Sequence, residues 1–97
     1  MIASFGDRAT EDLYHGRKSK TARGLPADIV SVAVRELDMV NAAQVLQDLA
    51  SPPGNRLEAL RGDLRGYHSI RVNDQWRLVF RWAAGEAHEV RITDYHS

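Results

Sequence analysis

The chain ends Ile92-Thr93-Asp94-Tyr95-His96-Ser97. Asp94, Tyr95 and His96 in succession supply an orienting carboxylate, a phenol and an imidazole. An imidazole exchanges a proton near neutral pH without any perturbation of its pKa. Beside a cluster of cations, such groups can cleave RNA without a metal. A base takes the proton of a 2′-OH, the freed oxygen attacks the adjacent phosphorus, and an acid protonates the leaving 5′-oxygen. Arginines stabilise the charge that builds on the phosphoryl oxygens. A tyrosine can also stack on a base. The competing reading is a frayed terminus with no chemistry, and spacing alone favours it.

The cations come from the stretch Tyr67 to Trp82, which holds Arg71, Arg77 and Arg81 together with Trp76 and Trp82. Its period is two. His68, Ile70 and Val72 face one way, and Tyr67, Ser69 and Arg71 the other. Trp76, Leu78, Phe80 and Trp82 share a face opposite Arg77, Val79 and Arg81. In His88–Tyr95, Val90 and Ile92 oppose Glu89, Arg91, Thr93 and Tyr95. This pattern predicts a three-stranded antiparallel meander with one buried face. A three-residue loop at Asn73-Asp74-Gln75 pairs Val72 with Trp76 and Ile70 with Leu78, which gathers the apolar residues. A two-residue loop would set the tryptophan face against Arg71, and a slip of one residue inverts every side chain. With a loop over Ala83 to Ala87, Phe80 lies near Val90 and Leu78 near Ile92.

The other face then carries Arg71 directly beside Arg77, Tyr67 near Arg81, and Arg91, Thr93 and Tyr95 on the last strand. Opposed like charges repel. A polyanion or a partner's carboxylates would relieve them. Simple solvation, with Glu89 pairing Arg81 across strands, is the competing reading. Glu58 and Arg61 enter the sheet from a proline-rich loop and can reach this face.

The elements that position these residues are legible upstream. Ile2 to Phe5 predicts a short edge strand. Asp7 predicts the N-cap of a helix over about residues 8–15 that buries Leu13 and Tyr14 and stops at Gly16. Arg17-Lys18-Ser19-Lys20-Thr21-Ala22-Arg23-Gly24 reads as a mobile basic loop. Pro26 suits the first position of a helix whose apolar stripe is Ile29, Val30, Ala33, Leu37 and Val40. Asn41 and Gln44 resemble a capping box that restarts the helix through Leu46 and Leu49. Ser51-Pro52-Pro53-Gly54-Asn55 ends it.

The 97 residues have room for one core, so a single domain over residues 1–97 is expected. With no cysteine there is neither a disulfide nor a thiolate metal site. His15, His68 and His88 lack metal-ligand spacing, and no metal or cofactor is expected. His68 reads as a packed core histidine. The N-terminus lacks the pattern of a signal peptide, and no apolar run approaches a membrane span, so a cytoplasmic protein without membrane contact is expected. The net charge is zero but unevenly spread. Residues 24–55 hold Asp28, Glu36, Asp38 and Asp48 against Arg35 alone, and both ends are mildly basic.

Ser69-Ile70-Arg71-Val72-Asn73-Asp74-Gln75-Trp76-Arg77 resembles the HigB toxins, of the RelE/ParE superfamily of toxin–antitoxin systems. So do Pro52-Pro53-Gly54-Asn55-Arg56-Leu57-Glu58 before it, the closing Asp94-Tyr95-His96, and Met1 to Phe5 with Thr10-Glu11. The likeness covers nearly the whole chain. It implies an α+β, RelE-like fold with N-terminal helices packed on one antiparallel sheet. It implies ribosome-dependent cleavage of mRNA. It also implies a HigA-type helix-turn-helix antitoxin, through which alone the toxin would meet operator DNA. By the same resemblance Arg77 is the active-site arginine, Asp94, Tyr95 and His96 act on the scissile phosphate, and Arg61 fills a basic position before the Gly-Asp turn. Glu58 stands where the family pattern has a histidine, and a carboxylate there can serve as a base. Arg61, Arg71, Arg81, Arg91 and Tyr67 complete the expected RNA-binding face. Two alternatives share the fold: a toxin that binds DNA gyrase, and a weakly active toxin that works mainly within an autorepressing complex.

Overall fold

The structure is a computed structural model and describes residues 1–94. Asp7 caps α1 (Arg8–Tyr14), its Oδ1 accepting the Thr10 N–H at 2.8 Å. α1 buries Thr10 and Asp12, whereas Leu13 and Tyr14 are only half-buried. Polar bonds of these two residues account for the difference. The Thr10 hydroxyl accepts the Ile92 N–H at 2.9 Å, which satisfies a donor on the edge of the last strand. The Asp12 carboxylate accepts from Arg17 Nη1 at 3.4 Å, and its carbonyl accepts the Arg17 N–H at 2.8 Å.

The Arg17–Gly24 segment is not wholly loop. Ser19 Oγ accepts the Ala22 N–H at 3.1 Å and caps a single helical turn, α2 (Lys20–Arg23). Pro26 stands one place before α3 (Ala27–Ala42) rather than as its first residue. α3 buries Ile29, Ala33, Glu36, Leu37 and Val40, with Val30 half-buried. Asn41 does not restart the helix. Its side chain accepts the Ile2 N–H at 3.0 Å instead. Asp48 Oδ2 organises the next turn by accepting the N–H groups of Gln44 and Val45 at 2.9 and 3.3 Å. A 3-10 turn over Leu46–Ala50 follows and buries Leu49.

The sheet has four antiparallel strands in the order β1-β2-β3-β4, namely Glu58–Ala59, Tyr67–Arg71, Trp76–Ala83 and Glu86–Asp94. The meander is as the period predicts. β1 is the addition, since two residues are too short to show an alternation. Ile70 pairs with Leu78 and Arg71 with Arg77, and Val72 N–H reaches the Trp76 carbonyl at 2.9 Å. Asn73 Oδ1 holds the loop by accepting the N–H groups of Gln75 and Trp76 at 2.9 and 2.8 Å.

The β3–β4 connection is tighter than the five residues expected. It is a two-residue turn, Ala84-Gly85, with φ of 54° and 76°. That conformation matches the twist of the flanking strands. Continued without interruption, it would set Phe80 against Glu89 and Leu78 against Arg91. The register shifts between Val79 and Arg81, where Glu89 takes φ 54°. This bulge returns Val90 and Ile92 to the core side, with Leu78 opposite Ile92.

Ile2 to Phe5 lies beside β4 as two isolated parallel bridges, Ile2 to Ala87 and Phe5 to Val90, rather than as a full strand. α3 packs on the sheet through one cluster that includes Ile29, Leu37, Val40, Leu49, Ile70, Leu78, Phe80 and Val90. Trp76 and Trp82 are half-buried against it, on the side their alternation predicts. Among the described residues no helix is long and apolar enough to cross a membrane.

Candidate active site

The register lays out the second sheet face in rows. Glu58, Ser69, Val79 and Arg91 face one another across the four strands. Arg71, Arg77 and Thr93 form the row beside them toward the hairpin loop, and Tyr67 and Arg81 pair on the far side.

Arg77 is the most enclosed of the arginines with a recorded ion pair, its side chain 14% exposed. Its Nη1 donates to Ser69 Oγ at 3.2 Å and to the Arg56 carbonyl at 3.4 Å, and its Nη2 donates to Glu58 Oε1 at 3.4 Å. Each partner has a local cause. Ser69 lies on the neighbouring strand, one row over, and is fully buried. Glu58 sits on that same row through β1. Arg56 takes the left-handed conformation, φ 48°, at the end of the Pro53–Asn55 turn. Buried Asn55 holds this turn by donating to the carbonyls of Leu49 and Ser51 at 3.2 and 3.4 Å.

Arg71 and Arg77 do stand directly opposite each other. Their repulsion is relieved inside the chain. Arg71 pairs with Asp74 in the hairpin loop, and Arg77 turns the other way to Glu58. The Arg71 hydrogen bond and charge hold the Asp74 carboxyl below the usual range.

Tyr67 and Arg81 form a separate cluster. Glu89 Oε2 accepts from Tyr67 Oη at 2.8 Å and from Arg81 Nε at 3.2 Å. The Tyr67 bond, then the Arg81 bond, lowers the Glu89 pKa, and the same carboxylate raises that of Tyr67. Near neutral pH the trio is therefore a protonated phenol and a guanidinium on one carboxylate. Four residues of strand separate Arg81 from Arg77, roughly 13 Å of rise, so this cluster and the Arg77 cluster do not act on one atom.

The remaining expected residues are placed as follows. Arg91 is half-buried on the Ser69 row, and neither its Nε nor the Thr93 hydroxyl, both buried, has a hydrogen-bond partner among the described residues. Arg61 is exposed just before the Gly62–Leu64 turn. Asp94 accepts from Gln75 Nε2 at 3.2 Å and pairs with Trp76 across the strands. Tyr95 and His96 lie outside the described residues. His68 stacks on Phe80 on the core side, and burial lowers its pKa, so it stands apart from the arginine face.

Ser69 and Glu89 were not singled out for chemistry by the sequence. Ser69 is a small hydroxyl on the charged face opposite Val79, and that placement follows from the register alone. The Arg56 carbonyl leaves no signal beyond the turn-forming Pro-Pro-Gly-Asn before it. Chemically, Arg77 offers donors for an anionic centre, and Glu58 beside it offers a proton acceptor. Arg71 adds positive charge one strand away.

Comparison with known proteins gives consistent results. The family described as the RelE-like toxin of type II toxin–antitoxin system HigB matches residues 3–96. Toxin HigB-1 of Vibrio cholerae serotype O1 is 44% identical over 87 residues, 90% of each chain. Endoribonuclease HigB of Proteus vulgaris is 32% identical over 96 residues, covering 99% of this chain and 100% of that one. In fold, a chain of the YoeB-YefM complex from Staphylococcus aureus superposes with a TM-score of 0.61 at 16% identity, covering 100% of this chain and 99% of that one. YafQ from E. coli BL21(DE3) superposes at 0.55 and 14%, covering 97% and 93%.

Proposed function

This chain belongs to the RelE-like HigB toxins of type II toxin–antitoxin systems, and from that premise we propose that it is an endoribonuclease that cuts mRNA on the translating ribosome. The observation that carries the reading is Arg77. It is drawn into the sheet by Ser69 and the Arg56 carbonyl and lies 3.4 Å from the Glu58 carboxylate. A guanidinium fixed on three sides is preorganised for a phosphate and does not have to be ordered when charge develops.

In this reading Arg77 binds the non-bridging oxygens of the scissile phosphate. A base among Glu58, Asp94 and the C-terminal pair Tyr95 and His96 takes the 2′-OH proton. The 2′-oxygen bonds to phosphorus, the bond from phosphorus to the 5′-oxygen breaks, and a second group of that set protonates the leaving oxygen. The products are a cyclic phosphate and a 5′-hydroxyl end. Arg61, Arg71, Arg81, Arg91 and Tyr67 contact the RNA backbone around this point. The antitoxin is of the helix-turn-helix HigA type, and the complex meets operator DNA through it. A toxin of such a system acts inside the cell that makes it, which supports a cytoplasmic location.

The test is induced expression in a bacterium with the 5′ ends of a reporter mRNA mapped by primer extension. Wild type should give new ends within the translated frame. Arg77→Ala should reduce them by about 10²- to 10³-fold, the usual cost of one oxyanion donor, and Tyr95→Ala should also relieve the arrest. Growth arrest with intact mRNA in the wild type would refute the nuclease and direct attention to gyrase.

A further inference from the structure

Glu89 lies on the arginine face with Arg81, Arg91 and Tyr67 around it, and a negative charge there repels phosphate. Its position depends on a local irregularity. An uninterrupted β3–β4 ladder would set Glu89 opposite Phe80, on the core side, and the bulge between Val79 and Arg81 turns it to the arginine face instead. Bulges re-aim side chains in this way. The cost is a φ of 54° at Glu89, a left-handed conformation that glycine or asparagine takes more readily. The side chain is then fixed. Its Oε2 accepts from Tyr67 Oη at 2.8 Å and from Arg81 Nε at 3.2 Å, and these two bonds keep the carboxylate ionised. An ion pair built for strength alone takes a two-pronged form, two guanidinium nitrogens on two carboxylate oxygens. This pair uses Nε and Oε2 only. No hydrogen bond from a described residue falls on Oε1, and the Glu89 side chain is 50% exposed.

We infer that Glu89 reads a guanine base of the bound RNA, accepting its N1–H and N2–H on Oε1, while Tyr67 and Arg81 hold the carboxylate in place. This role rests on the reading of the chain as an RNA-directed nuclease and adds a base preference to it. An ionised carboxylate only accepts hydrogen bonds, so it selects a base by the donors on its edge. Guanine carries two adjacent N–H groups on its Watson–Crick edge. Adenine and cytosine each set one amino group beside an acceptor nitrogen, and uracil sets one N–H between two carbonyl oxygens. Those acceptors would meet a like partial charge at Glu89. Proteins read single-stranded RNA on this edge, which an unstacked base exposes. Arg81 keeps its Nη groups for the phosphate of the same nucleotide, since only its Nε is bonded to Glu89. The roughly 13 Å of strand between Arg81 and Arg77 sets that nucleotide apart from the one that is cut. Glu89 thus confers preference, and Tyr67 and Arg81 are its positioning residues.

The test is induced expression of the whole chain in a bacterium, with the new 5′ ends of all mRNAs sequenced and the base counted at each fixed distance from the cut. At one position near the cut, wild type should favour guanine over the other bases by about 5- to 100-fold, the discrimination one bidentate contact gives. Glu89→Gly removes the reader and suits the φ of 54°, so the backbone is not strained. In this variant the guanine ratio should fall to about 1 as cuts spread to other bases. Glu89→Gln carries an amide of the kind that pairs with adenine, and its preference should move toward adenine. Tyr67→Phe removes one bond that fixes the carboxylate and should lower the guanine ratio without changing the favoured base. Wild-type cuts with no guanine preference at any position would overturn the inference, and so would a wild-type profile in Glu89→Gly. Loss of all cutting in both Glu89 variants would place the residue in the chemistry and also overturn it. A wild type that makes no cuts at all is a separate result, which would sink the nuclease reading and this role with it.

Discussion

At the scale of single residues, Arg77 shows how a repulsive juxtaposition becomes usable. Alternation sets it against Arg71, and carboxylates from the hairpin loop and from β1 draw the pair apart. Glu36 is the opposite case, a buried acid with no ion pair among the described residues. It is 3% exposed on α3, its Oε1 has no hydrogen-bond partner among the described residues, and burial pushes its pKa up to about 7, against opposing pulls from Arg35 and Arg71. A raised acid pKa means that the folded chain holds the proton more tightly than the unfolded chain. The favourable contribution is full below about pH 4.5 and is lost as pH rises through about 7. Glu36→Gln should therefore stabilise the protein at pH 8, by at most on the order of 3 kcal/mol, and leave it nearly unchanged at pH 4. Urea melts at the two values measure this, and an equal effect at both would show that Glu36 is not the titrating group. Neither fact is legible in the sequence, where Glu36 is one acid in an acidic helix. The pairing of Arg81 with Glu89 is legible, because cross-strand geometry follows from alternation.

Elements were legible to different depths for physical reasons. The β2–β3 register follows from amphipathic pattern, since one choice buries every apolar residue. The β3–β4 turn does not, because a two-residue turn and a bulge together restore the pattern that a longer loop would give. The bulge has a second role. It brings the Glu89 backbone against the N-terminal segment, where Gly6 donates its N–H to the Val90 carbonyl at 2.8 Å. A methyl group at Gly6 would stand 2.7 Å from the Glu89 carbonyl oxygen, a backbone atom with little freedom to yield. Gly6→Ala is expected to cost about 1 to 3 kcal/mol, the range for overpacking a close contact. The midpoint of chemical denaturation reports it, and a neutral outcome would mean that the segment detaches from β4 at little cost. Polar bonds such as Thr10 to Ile92 also escaped the sequence. They join residues 82 apart by hydrogen bonding, which leaves no periodic trace.

Across the whole molecule, one apolar cluster ties α3 to all three long strands, with Phe80 at its centre and fully buried. Phe80→Ala should cost about 3 to 5 kcal/mol. That is a large share of the roughly 5 to 15 kcal/mol available to a small domain. Thermal unfolding should stay a single transition at a much lower midpoint, and two separate transitions would contradict one shared core. The charge distribution of the molecule was half legible. The acidic middle and basic ends are plain in the sequence, but the pairing of Arg71 with Asp74 and of Arg77 with Glu58 needed coordinates.

The docking of the first residues on the last strand carries a consequence for how the protein comes into being. Ile2 and Phe5 bridge to Ala87 and Val90, and Thr10 satisfies the edge of β4 at Ile92. A chain made from its N-terminus onward must hold its opening segment unpaired until β4 has been made. Arg77 gains its flanking strand only when β4 is released. The sheet is thus closed last-strand-last, and the surroundings of Arg77 are complete only once β4 has joined β3.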